Sequence, residues 1–310
     1  MSQEPSISLI ICTYNRAEYL SDSLNTLIQS ARGRSVEILV IDNNSSDNTR
    51  KVCQEYSAKT EKTGDDLALH YVLETNQGLS FARNRGIEEA NAPVIIFLDD
   101  DITVPSSFTD SWLSFFADHP EARAAGGKIH VQFDDPRPKW MSDFLLPLLG
   151  HHDHGDSIKP YSNRNYPFGG NMAFKAGIFD EYGTFNTELG RIGSDLKASE
   201  EKEFFRRLQQ DGVKIYFVPK ALLYHRVNKS RLTKDYIRRQ AVGLGQSIAL
   251  QMKRKPGSRK ITTIFKEVGK WAATIALFIF YSFKLQGSKG VMLLKFRYWI
   301  LQGISSLNRT

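Results

Sequence analysis

Three consecutive carboxylates, Asp99-Asp100-Asp101, follow the apolar run Val94-Ile95-Ile96-Phe97-Leu98. Adjacent carboxylates repel one another, so leaving three unpaired at the end of a buried strand is unfavourable. A hard divalent cation such as Mn2+ or Mg2+ takes oxygen ligands, relieves the repulsion and bridges to phosphates. The D-x-D pair therefore predicts a cation site; the alternative is a solvated acidic turn. A second acidic cluster, Glu200-Glu201 with Glu203, runs into Phe204-Phe205. Glu201, Phe204, Phe205 and Leu208 follow i, i+3, i+4, i+7 spacing, which places Glu201 on the apolar stripe of a helix and Glu200 and Glu203 off it. A carboxylate there needs a reason, because burying it unpaired is costly. In the first turn the helix dipole also favours it. Gly169-Gly170-Asn171 adds two glycines through which backbone can approach a ligand closely; a plain turn is the alternative.

These groups need elements to position them. Ser8–Thr13, Val36–Ile41, Leu67–Leu73 and Val94–Leu98 are short apolar runs of strand type. Helical stretches separate them: Arg16–Ala31, with Leu20, Leu24, Leu27 and Ile28 at helical spacing, then about Asn48–Ala58 and Leu79–Ala90. Asn15 with Glu18 reads as a capping box for the first helix. Strands alternating with crossover helices predict an α/β fold with a mostly parallel central sheet. The strands end in polar residues, and ligands of open α/β sheets bind beyond the carboxyl ends of the strands. After Asp101 the alternation weakens. Residues 124–133 and 214–219 read as strands, and Pro136–Pro167 as a long loop.

The chain has 310 residues, 41% of them hydrophobic, which excludes wholesale disorder. Its two cysteines, Cys12 and Cys53, make no disulfide framework and suit a reducing compartment. The start, Met1-Ser2-Gln3-Glu4-Pro5, has no signal-peptide pattern. Charge is unevenly spread: residues 1–225 carry −9, residues 226–250 carry +5, and Gln251–Thr310, with twelve Lys/Arg against Glu267, carries +11. A basic tail on an acidic body predicts an anionic partner. Within that tail lie the basic linker Lys253–Lys260 and the uncharged stretch Trp271–Phe283, which at thirteen residues is short of a spanning helix. Val291–Leu301 is a second apolar stretch, broken by Lys295 and Arg297. Basic residues and aromatics around short apolar stretches suit a segment lying in a membrane interface; a helical pair packed on protein is the alternative. No aromatic-basic motif supports a nucleic-acid partner.

Neither G-x-G-x-x-G nor a P-loop follows the first strand, which reads Cys12-Thr13-Tyr14-Asn15-Arg16 and weighs against a nicotinamide enzyme or a P-loop NTPase. His151, His152 and His154 form an H-H-x-H cluster without partner cysteines and read as part of a solvated loop rather than a zinc site.

Together the motifs resemble a known family. Ser8–Arg16, Val40–Asp47, Asn76-Gln77-Gly78-Leu79-Ser80, Ala82-Arg83-Asn84, Asp99-Asp100-Asp101 and Gly169-Gly170-Asn171, in this order, are similar to inverting family 2 glycosyltransferases of the GT-A fold, over about residues 6–245. The resemblance implies a nucleotide-binding half at about 6–102, an acceptor half at about 103–250, and a basic amphipathic tail at 251–310. It implies that Thr13, Tyr14 and Arg16 hold the nucleotide, that Asp42 contacts the base, and that Asn76, Gly78 and Arg83 flank nucleotide and sugar. Asp99 and Asp100 would contact the donor, and Asp99 and Asp101, joined by His225, would hold the metal-bound diphosphate. His225 sits after the predicted strand, and Arg231 would pair with phosphate. Gly169, Gly170 and Asn171 would border acceptor and donor sugar. Glu201, standing where the family has an Asp, becomes the first choice for the general base and Glu200 the second; helix capping alone is the alternative. The implied activity is metal-dependent transfer from a nucleotide-sugar, in the first instance a UDP-sugar, to a hydroxyl acceptor. The implied partners are a glycan or lipid-linked acceptor and, for the tail, an anionic membrane at the cytoplasmic face. A polyprenyl-phosphate sugar synthase and a non-catalytic nucleotide- or carbohydrate-binding protein are the rival readings.

Overall fold

The structure, a computed structural model, describes residues 4–62, 66–162, 165–189, 200–253 and 257–306, without the side chains of 251, 253 and 257–261. Residues 198–199, ahead of the acidic pair, and residues 254–256 of the basic linker lie outside the described residues. The chain divides into two compact units, Met1–His130 with His152–His225, and Val131–His151 with Arg226–Thr310.

The first unit holds the expected α/β sheet. Strands β1 (Ile7–Thr13), β2 (Val36–Asp42), β3 (Leu67–Leu73) and β4 (Val94–Leu98) alternate with helices α1 (Ala17–Ala31), α2 (Thr49–Glu61) and α3 (Leu79–Glu89). After them come β5 (Ile102–Thr103), α4 (Phe108–Asp118), β6 (Ala124–Phe133), β7 (Lys159–Pro160), β8 (Asn171–Lys175), α5 (Gly177–Tyr182), α6 (Glu200–Gln210) and β9 (Ile215–Val227). The sheet order is β3-β2-β1-β4-β8-β6-β9-β5, with β7 beside β9. Its parallel core, β3-β2-β1-β4, is extended by β8 and β6 in antiparallel pairing. Nearly every residue of β1, β2 and β4 is buried. This is the continuous apolar run required when helices cover both faces of a sheet.

Register decides which side chains meet. Thr13 lies opposite Asp42, so the first two strands end together. Because β8 runs antiparallel to β4, its first residue, Asn171, sits opposite Leu98, and Gly169-Gly170 arrive beside the acid triplet. Ile102 pairs with His225. The strand predicted to stop at 219 continues to Val227, so His225 is a strand residue and not a loop residue.

Two local expectations are corrected. Asn15 and Glu18 form no capping box: Asn15 has a left-handed backbone, φ 54°, and its Oδ1 accepts from the Ser46 N–H at 2.7 Å. Asp47 instead accepts from the Ala17 N–H at 3.0 Å, so the loop after β2 serves the start of α1. Nor is the H-H-x-H segment a solvated loop throughout. His152 is 7% exposed, hydrogen-bonds the Tyr161 hydroxyl at 2.7 Å, and contacts the rings of His154 and Phe168. The burial repays its ring atoms with aromatic contact and its Nε2 with a partner.

The second unit contains α7 (Lys234–Lys253), α8 (Gly257–Phe283) and α9 (Gly287–Ser306), plus a 3-10 turn, Asp143–Leu149, inside the stretch expected to be loop. Its core is built from Met141, Leu145, Leu149, Leu232, Ile237, Tyr281, Met292 and Leu293. Helix α9 packs against both α7 and α8. At the α7–α9 crossing a Cβ on Gly245 would lie 2.9 Å from the Gly303 Cα, which lets the two backbones touch. Among the described residues no helix is long and apolar enough to cross a membrane.

Candidate active site

The acid triplet is held from below by β1 and α1. The Thr13 hydroxyl donates to Asp100 Oδ2 at 2.8 Å, and Ser23, fully buried on the apolar face of α1, lies 2.8 Å from both the Asp100 and Ile102 carbonyls, which share its one proton, and accepts from the Ile102 N–H at 3.0 Å. Arg16 spans the turn, 2.7 Å from Asp100 Oδ1 and 2.9 Å from Asp101 Oδ2. Burial drives the Asp100 carboxyl up to about 7, with Arg16 pulling against it. Arg16 thus belongs to the frame under the acids, while Tyr14 stands 39% exposed beside it.

Three ligand-type side chains converge above this frame. Asp99, Asp101 and His225 each offer one atom within 4.8 Å of the others. His225 Nε2 lies 3.3 Å from Asp101 Oδ1, and both residues are buried. Two carboxylates and an imidazole form a donor set suited to a divalent cation of the Mn2+ class, and their mutual distance is that of ligands around one ion. The residues present therefore fit the cation that the D-x-D spacing predicts.

Across the diglycine stands the second charged group. Arg83 is 3% exposed; it reaches Glu200 Oε1 at 2.8 Å and Glu201 Oε2 at 3.5 Å, with its guanidinium 5.4 Å from the Phe185 ring centre. Although burial opposes its charge, the two glutamates hold the Arg83 pKa above the ordinary value. The helix stripe runs differently from the sequence expectation. Glu200 is the fully buried carboxylate, with Phe204 and Leu208 on its i, i+4, i+8 row, and Glu201 keeps 19% of its side chain exposed. Glu200 makes the closer contact with Arg83, and Glu201 is the more exposed carboxylate, against Gly169.

The diglycine explains how these groups come so close. A Cβ on Gly169 would overlap Glu201 Oε2 and Arg83 Nη2, and one on Gly170 would overlap the Asp99 carboxylate. Consecutive Cα atoms are about 3.8 Å apart, so the Glu201 and Asp99 carboxylates flank a single dipeptide. Asn171, next in sequence, is fully buried and spends its amide on the Lys128 and Ala221 carbonyls at 3.1 and 2.9 Å. It ties β8 to its neighbours.

The loops beyond β1–β3 are organised by Asn43, which the sequence reading passed over. It donates to the Glu74 and Asn76 carbonyls and accepts from the Gly78 N–H at 2.7 Å. Gly78 sits at φ 143°, a conformation open to glycine, and starts α3. Asp42 is 2% exposed and engages the Ser45 N–H and the Tyr71 hydroxyl, at 2.9 and 2.8 Å. Ser23 was also missed; its signal was a polar residue between Leu20 and Leu24 on an apolar helix face.

The stretch that carries the acid triplet, Arg83 and the diglycine matches a family. Residues 8–183 match "Glycosyl transferase family 2". The chain belongs to that family.

This family 2 chain is 25% identical over 238 residues to the "Glucosyl-dolichyl phosphate glucuronosyltransferase" of Haloferax volcanii, covering 74% of this chain and 72% of the relative. It is 27% identical over 191 residues to the "Cholesterol galactosyltransferase" of Borreliella burgdorferi, covering 61% of this chain and 46% of that protein. Among solved structures, the mannosyltransferase PcManGT from Pyrobaculum calidifontis, in complex with GDP-Man and Mn2+, superposes with a TM-score of 0.59 at 18% identity, covering 96% of this chain and 88% of that one. S. aureus TarS 1–349 in complex with UDP gives a TM-score of 0.53 at 18% identity, covering 77% and 65%. At these identities the structural likeness speaks for the fold alone.

The diglycine yields a first expected result. Gly169→Ala will displace the Glu201 carboxylate and the Arg83 guanidinium and is expected to lower glycosyl transfer on the order of 10²-fold, the scale of a misplacement of about 1 Å in an active site. Circular dichroism of the variant should match wild type; undiminished transfer would show that Glu201 does not need this position.

Proposed function

We propose that this chain moves a glycosyl group from a nucleotide-sugar, with a UDP-sugar as the first donor class, to a hydroxyl acceptor by direct displacement with inversion. The observation that carries this reading is the placement of Glu201 and of the Asp99–Asp101–His225 cluster on either side of Gly169-Gly170. Asp99, Asp101 and His225 would hold the divalent cation. When bound, that ion supplies charge neutralisation for the departing nucleotide diphosphate.

The protein's own groups do the rest. Glu201, half-buried and facing the diglycine, takes the acceptor hydroxyl proton at Oε2 as that oxygen attacks the anomeric carbon. Arg83 orients this carboxylate, and Glu200 keeps Arg83 from claiming it fully. Thr13, Ser23 and Arg16 hold the acid turn rigid, so the ligand atoms need little rearrangement when the donor arrives. The loops joined by Asn43 and Gly78 border the nucleotide side. The name of the Haloferax relative supports a lipid-linked glycan as acceptor, and we place the reaction at the inner face of a membrane.

The test is nucleotide release from a panel of UDP-, GDP- and TDP-sugars with Mn2+, for wild type and Asp101→Ala. Release from one donor, lost in the variant together with metal-dependent nucleotide binding, is the expected result. Absence of both release and binding from wild type would overturn the reading.

A further inference from the structure

Helix α8 carries apolar residues on the side that faces away from its own unit. Thr274, Leu277 and Tyr281 point inward. On the other side Ile264, Phe265, Val268, Ile275, Ile279, Phe280 and Phe283 are 48–85% exposed. Leu285, just past the helix end, is 95% exposed. From Phe265 to Phe283 this row runs about 27 Å along the helix. Scattered surface apolar residues need no explanation, but a contiguous row of this length marks a docking surface.

The charges around the row select its occupant. Lys266 and Lys284 lie together along one edge of it, by their helical positions beside Phe280, and Gln251–Thr310 as a whole carries +11. Glu267, the one acid in that segment, is turned from solvent, 15% exposed, and paired with Lys270 at 2.5 Å. Among the described residues of α8 the surface is thus apolar along its middle and cationic along one edge, and its one carboxylate is paired. A second copy of this chain would bring the same cations against these, which Coulomb repulsion opposes. An anionic bilayer supplies hydrocarbon for the row and headgroup charge for the lysines, whose stems can reach outward along the apolar surface.

We propose that α8 is a bilayer-docking helix that lies in the plane of an anionic lipid surface, inserting Phe265, Val268, Ile279 and Phe283 among the acyl chains while its lysines meet lipid phosphates. The proposal takes its purpose from the membrane-located reading above. Its geometry stands on α8 alone, so vesicle binding and donor turnover can fail separately.

The experiment is co-sedimentation of the full chain with vesicles of phosphatidylcholine alone or mixed with phosphatidylglycerol, for wild type and the triple variant Phe265→Ser, Val268→Ser, Phe283→Ser. These side chains are exposed, so the melting temperature and donor turnover of the variant should match wild type. Wild type should pellet with the anionic vesicles, less so at 0.5 M salt than at 0.1 M, given a Debye length of about 10 Å at the lower value. The variant should bind at least about ten-fold more weakly. Wild type remaining in the supernatant, or a variant that binds as tightly as wild type, overturns the proposal. So does a lipid-free dimer that the triple variant dissociates, which would assign the row to a second copy. Loss of donor turnover with vesicle binding intact would refute the transferase reading and leave α8 as assigned.

Discussion

Glu201→Gln is expected to lower kcat for glycosyl transfer about 10²–10⁴-fold, the usual contribution of a positioned general base, with little change in donor KM. Gln keeps the size and hydrogen-bonding shape of the side chain, and position 201 is partly exposed, so stability should hold. The proposal assigns the base to Glu201 rather than Glu200 on geometric grounds. Glu200 is fully buried and sits 2.8 Å from Arg83, whereas Glu201 is 3.5 Å from the same guanidinium and faces the diglycine. Steady-state kinetics with saturating acceptor, and thermal melts of the same samples, check both halves of the expectation. Full activity in Glu201→Gln would remove the need for a base and shift the reading to a phosphate acceptor, which is already ionised. A matching kcat loss in Glu200→Gln with intact folding would move the base one residue back.

The second large effect concerns stability. Arg83→Met should cost about 3–5 kcal/mol, because deleting one member of a buried ion pair leaves the other charged and uncompensated. Here Glu200, fully buried, loses its 2.8 Å contact with the guanidinium, with Glu201 adding a second negative charge beside it. Met matches the aliphatic length of Arg, so the loss reports the charge rather than a cavity. Adding Glu200→Gln to Arg83→Met should recover part of the loss, since it removes the stranded charge. Urea unfolding of the single and double variants measures this. A single-variant cost below about 1 kcal/mol would place the pair among solvent-screened surface bridges.

The fold and its active edge were legible locally. The buried strands show as continuous apolar runs and the helices as a 3.6-residue period, and such patterns depend only on near neighbours. The acid triplet could be placed at the end of β4 because an apolar run of five residues directly precedes it. Gly169-Gly170 could be marked as a place of close approach, though not what approached.

What the sequence by itself determined was therefore the α/β architecture, the carboxylates at its edge and the cationic, apolar character of the tail. Tertiary structure alone decided the pairings. Arg83 meets Glu200 across 117 residues, and this pairing buried the glutamate that helical spacing had put off the stripe. Ser23 clamps a turn 77 residues away; Asp47, and not Asn15, caps α1; and His225 reaches Asp101 because β9 runs on to pair with β5. The physical reason is common to the three buried pairings, of Arg83, Ser23 and His225. A polar group's need for a partner is a property of its residue type, but the partner is whichever group the packed sheet carries into the same dry volume, and register rather than sequence distance settles which group that is.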